Sequence, residues 1–110
     1  MLNLPLGRIY FYHGHADMRK SYDGLYKLVV EHFPSVDLSG SLFVFINKRK
    51  TQVKALYWDE DGFALWSKRL RQGCFKKPTH ANPQLSRREL NLLLEGVEPK
   101  RMNKRFSLKN

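Results

Sequence analysis

From residue 18 to residue 33, apolar side chains recur at spacings of three and four: Met18, Tyr22, Leu25, Val29 and Phe33. That period puts all five on one stripe of a helix. Asp17 is a good N-cap for it, and Pro34 disfavours helical backbone at Phe33, so the expected helix runs from Asp17 to Phe33. Gly24 within the stripe costs about 1 kcal/mol relative to alanine, so this helix leans on tertiary packing. The pattern then changes. Three strand-like runs follow closely, 42–46, 52–58 and 63–70, separated by Asn47-Lys48-Arg49-Lys50-Thr51 and by Asp59-Glu60-Asp61-Gly62. Both connectors are of hairpin length. The first run is apolar on both faces, as a strand covered on both sides should be, whereas the other two mix polar and apolar positions.

Before the helix, Pro5 and Gly7 punctuate an extended segment, and Arg8-Ile9-Tyr10-Phe11-Tyr12 is a short β-rich run closed by His13-Gly14-His15. Beyond the third strand, Gly73-Cys74-Phe75 offers a further edge. A polar loop with Pro78 and Pro83 follows, then Ser86-Arg87-Arg88-Glu89 reads as a capping box. It opens a second helix through Leu90, Leu93 and Leu94, with Gly96 at its end. The expected fold is α+β: one domain over residues 1–98, an antiparallel β-meander packed by two helices. Residues 99–110 are expected to form a flexible basic C-terminal tail.

Composition narrows the function classes. The chain has 110 residues, a formal net charge of +10, 42% hydrophobic residues and one cysteine. It is long enough for one core and too apolar for a disordered tail. A single thiol allows no intrachain disulfide, no leader-like start is seen, and no apolar run approaches the ~20 residues that span a bilayer. The expectation is a reduced cytoplasmic protein without membrane contact. Its basic excess favours a polyanionic partner, nucleic acid ahead of a lipid surface.

Catalytic chemistry finds little support. A metal-dependent nuclease needs carboxylates converging from separate elements. Asp59, Glu60 and Asp61 lie consecutively in a hairpin turn, where a solvated turn is the better reading. His13 and His15 lack Cys or Glu at ligand spacing. Cys74 has basic neighbours but no sequence-evident acid–base partner, so a structural thiol is favoured over a nucleophile. We expect no metal, no cofactor and no catalytic residue. Tyr57, Trp58, Phe63, Trp66 and Phe75 interleave with basic residues, as base-stacking platforms do, but at strand spacing most belong to a core.

The cations are more telling. If the second hairpin pairs Trp58 with Phe63, Gln52 lies opposite Arg69 and Lys54 opposite Ser67. Lys68, Arg69 and Arg71 then share one end of the meander with Lys48, Arg49 and Lys50, and the acidic turn occupies the other end. Arg19 and Lys20, expected in the first helical turn, either receive an anion together with free backbone amides or pair locally, Arg19 with Asp23. Lys54, Lys76 and Lys77 complete the candidate phosphate-binding set; Arg87 and Arg88 are assigned to a helix surface.

The stretch Asp17 to Leu25, the block Leu42-Phe43-Val44-Phe45, the long run Tyr57 to Leu70 and the closing Leu92-Leu93-Leu94-Glu95-Gly96 together resemble one family over about residues 5–98. It is the small second-reading-frame protein (TnpB or Orf2-like) of bacterial insertion sequences of the IS66 class, distinct from the RNA-guided nuclease that shares the first label. The resemblance implies a non-catalytic accessory protein of DNA transposition, encoded beside a separate transposase. Its expected partners are DNA, at the element ends, and the transposase or other element-encoded proteins. A protein-interaction adaptor without DNA contact is the alternative, and a metal-dependent nuclease a more distant one.

Overall fold

The strand that is apolar on both faces lies at the middle of the molecule. In the computed structural model, which describes residues 7–95 and 97–98, Ser41–Ile46 is buried along its whole length. In chain order the elements are β1 (Arg8–Phe11), α1 (Tyr22–His32), β2 (Ser41–Ile46), β3 (Gln52–Asp59), β4 (Gly62–Arg69), β5 (Cys74–Phe75), β6 (Gln84–Leu85), α2 (Arg87–Glu95) and β7 (Val97–Glu98). Five strands form a mixed sheet in the order β4-β3-β2-β1-β6, and β5 pairs with β7 apart from it.

The meander β2-β3-β4 is antiparallel with the expected register: Trp58 pairs with Phe63, Gln52 with Arg69 and Lys54 with Ser67. The sheet also extends beyond it. β1 lies parallel to β2, Ile9 beside Leu42, and β6 pairs antiparallel on the outer side of β1. Parallel neighbours require a crossover, and here α1 is that crossover.

Side chains alternate between the two faces of the sheet. On one face Phe43, Phe45 and Leu56 meet Leu25, Val29 and Phe33 of α1 and its C-cap. On the other, Leu42, Val44, Ile46, Val53 and Ala55 meet Phe75 and Leu90, Leu93 and Leu94 of α2. A helix on each face explains why β2 carries no exposed position. The one buried polar residue of the described core, Ser41, donates its hydroxyl to the Asp37 carbonyl at 2.8 Å.

α1 begins later than its apolar period suggests. Asp17 does not cap it. Its carboxylate accepts the Arg19 N–H at 2.9 Å and the Arg19 guanidinium at 2.7 Å. The Met18 and Lys20 carbonyls are held by the Lys54 ammonium at 2.9 and 2.7 Å. Lys20 N–H closes back on the Asp17 carbonyl at 3.0 Å, so residues 17–20 form a separate turn and the helix starts after Ser21. Its end matches the expected stop, with Phe33 at the C-cap and Pro34 following. α2 opens on the predicted capping box: the Ser86 N–H donates to Glu89 Oε1 at 2.8 Å, and the Glu89 N–H to Ser86 Oγ at 3.0 Å. The proposed stop at Gly96, Pro5 and the basic tail 99–110 lie outside the described residues.

Candidate nucleic-acid interface

The β2–β3 connection is built to hold cations outward. Lys50 N–H donates to the Asn47 carbonyl at 3.0 Å, closing a turn, and Lys50 itself has φ 61°. This left-handed position normally falls to glycine or asparagine. The Asn47 side chain braces the turn from inside. Its oxygen accepts the N–H groups of Thr51 and Gln52 at 2.9 and 3.0 Å, and its amide donates to Thr51 Oγ1 at 3.0 Å. Lys48, Arg49 and Lys50 are exposed on this frame.

The chain after β4 returns to the same place. Leu70 N–H donates to the Thr51 carbonyl at 2.8 Å, and Phe75 N–H to the Lys50 carbonyl at 2.7 Å. The ends of β4 and β5 are thereby laced to the basic turn. Lys68, Arg69, Arg71 and Lys76 are all exposed there. Among the described residues, no carboxylate pairs with these four or with Lys48, Arg49 and Lys50. The acidic turn Asp59–Asp61 closes the far end of the hairpin. β3 and β4 are eight residues each, so the two ends lie roughly 27 Å apart at ~3.4 Å per residue.

Other candidate cations are engaged elsewhere. Lys54 is half-buried beneath the turn that precedes α1, with its ammonium on the Met18 and Lys20 carbonyls. Arg19 is bound by Asp17, not Asp23, and the mutual hydrogen bonds hold the Asp17 carboxyl far below its ordinary range and raise the guanidinium. Because α1 starts after Ser21, neither Arg19 nor Lys20 stands in its first turn, the position expected for both. Lys77 donates to the His13 carbonyl at 3.3 Å.

Four of the five aromatics pack on the core, and Trp58 instead donates its indole N–H to the Glu60 carbonyl at 2.9 Å. Phe75 is fully buried, Tyr57 and Trp66 pack against the α2-side cluster, and Phe63 lies between Tyr26 and the edge of Trp58. His13 contacts the Asn82 carbonyl and the ring of Phe11, and His15 is exposed. Among the described residues, no three His, Cys, Asp or Glu side chains converge on one point.

One feature escapes a reading by motif. A cleft of about 380 Å³ opens between residues 76–80 and α2, lined by Lys76, Lys77 and Leu92 among others. At its wall His80 pairs with the second oxygen of Glu89. The Ser86 N–H and then His80 hold the Glu89 carboxyl below its ordinary range. The capping box signals Glu89, but nothing local signals His80. No helix among the described residues is long and apolar enough to cross a membrane.

The uncharacterized protein y4hO of Sinorhizobium fredii is 33% identical to this chain over 100 residues, covering 86% of the chain and 87% of that protein. A second protein of the same organism, the uncharacterized protein y4jC, is 32% identical over 96 residues, covering 82% of the chain and 79% of its own length. No solved structure matches significantly. The family model described as IS66 Orf2 like protein matches residues 7–104, which takes in the whole sheet, both helices and the basic turn. This chain belongs to the IS66 Orf2-like family of insertion-sequence accessory proteins.

Proposed function

We propose that the protein is a non-catalytic, cytoplasmic accessory factor of transposition that binds DNA through the basic end of its meander and associates with the transposase or another element-encoded protein. The observation that carries this reading is the gathering of Lys48, Arg49, Lys50, Lys68, Arg69 and Arg71 at one end, exposed and without carboxylate partners among the described residues. Such a cluster neutralises phosphates without reading bases, and its affinity falls steeply with salt. Lys76 and Lys77 flank the cluster. Arg19, Lys20 and Lys54 join the contact surface only secondarily, since Arg19 and Lys54 already have partners.

The test is a salt-titrated binding curve on a labelled duplex. The log–log slope should approach −0.9 per phosphate neutralised. Neutralising the 48–50 group or the pair Arg69 and Arg71 should each lower the slope by about one unit per lost contact. The two groups should also couple in a double-mutant cycle, because they share one phosphate track. Neutralising Arg87 and Arg88 should do much less. Absence of binding at low salt would favour an adaptor whose basic end meets an acidic protein surface.

A further inference from the structure

We propose that the chain forms a two-fold dimer by pairing the outer edge of β4 with β4 of a second copy. β4 ends the sheet. The bond from Leu70 N–H to the Thr51 carbonyl fixes which groups face inward. In an antiparallel ladder the bonded positions alternate, so Gly62, Ala64, Trp66 and Lys68 bond to β3. Phe63, Leu65, Ser67 and Arg69 therefore direct N–H and C=O groups outward. The edge has no proline and no charge between residues 62 and 67. Those are the usual devices that keep edges apart.

Outward groups can pair only with outward groups, which restricts the register. An antiparallel pairing must place its axis at Leu65 or at Trp66, if overlap is to be kept. With the axis at Leu65, Arg69 stands level with Asp61 of the second copy. With the axis at Trp66, Arg71 stands level with Asp61. Either register sets Arg69 or Arg71 of each copy against the acidic turn of the other, twice over, while Lys48, Arg49 and Lys50, on the β2–β3 turn, stay off the seam. A parallel pairing would set like charges together, which is disfavoured.

α1 supplies an independent observation. Tyr22, Tyr26 and Val30 are 45%, 39% and 50% exposed, three of the four large apolar side chains left exposed among the described residues. They follow one another at i, i+4 and i+8, a single stripe. The ring of Tyr26 lies 5.1 Å from that of Phe63 on β4, so the middle of the stripe stands over the free edge. An axis normal to the sheet puts both α1 helices on one face, flanking the seam, and the two stripes then cover each other. An isologous contact needs such self-complementarity in shape and charge.

The experiment is sedimentation equilibrium of the full chain without nucleic acid, so its outcome is independent of DNA binding. Wild type should be a dimer. Reversing charge at one end (Arg69→Glu with Arg71→Glu) or at the other (Asp59→Lys with Asp61→Lys) should weaken self-association roughly tenfold or more. An equimolar mixture of the two variants should regain the dimer, because their reversed ends complement each other. Should either variant fail to fold by circular dichroism, Ser67→Pro removes one outward N–H without touching the β3 ladder and should give a monomer. A monomeric wild type, variants that dimerise as wild type does, or a mixture that stays monomeric would each overturn the proposal.

Discussion

The two turns of the meander are unlike in charge and in construction. The β2–β3 turn carries Lys48, Arg49 and Lys50 and is braced by three hydrogen bonds of the Asn47 side chain, two accepted and one donated, and by one from the Phe75 N–H. The β3–β4 turn carries Asp59, Glu60 and Asp61. A 2.6 Å bond from Asp61 N–H to the Asp59 carbonyl closes it around Glu60, with Trp58 Nε1 donating to the Glu60 carbonyl at 2.9 Å. One turn is a braced platform that presents charge at a fixed place; the other is a tight reversal with charge at its tip. Both place a non-glycine residue at positive φ, Lys50 at 61° and Glu60 at 58°. At each, the side chain is kept despite local strain.

Breaking the brace should give the largest effect. Asn47→Ala leaves the Thr51 and Gln52 N–H groups without their acceptor, and unfolding in urea should show a loss of about 1–3 kcal/mol. DNA affinity should fall with it, since the lysines above lose their frame. Relieving strain should distinguish the turns. Glu60→Gly and Lys50→Gly should each stabilise by up to about 1 kcal/mol, but only Lys50→Gly should weaken DNA binding in the salt titration. Trp58→Phe removes the indole donor from the acidic turn and should cost about 1 kcal/mol or less.

Acid should give the smallest effect. Asp17, held low by Arg19, and Glu89, held low by the Ser86 N–H and His80, both lose protons more readily in the folded chain than in the unfolded one. Their contribution is therefore complete above the ordinary carboxylate range of about 4 and declines as pH falls below it. Unfolding midpoints measured across acid pH should fall along this limb, and Asp17→Asn with Glu89→Gln should flatten it.

The meander was legible because each hairpin is local: a short polar connector fixes the register, and the register fixes which end is basic. The same reasoning locates the capping box of α2. It cannot find the parallel contact of β1 with β2, which depends on residues brought together across α1. Nor does a residue type reveal its partner. Lys54 has the composition of a phosphate ligand, yet two backbone carbonyls take it. Asp17 has the composition of an N-cap, yet Arg19 takes its carboxylate. A free cation and an engaged one look alike until the chain around them is folded.

The placement of β1 also bears on synthesis. Among the described strands it is translated earliest, but Ile9 pairs with Leu42 on one side and Leu85 on the other. At the usual ~5–20 residues per second, roughly 4–15 s pass between translation of Phe11 and of Leu85. For that interval Tyr10 and Phe11, both buried at the end, have at most one neighbouring strand. The nascent chain thus carries an apolar segment whose second sheet neighbour is the last of the described five-stranded sheet to be translated.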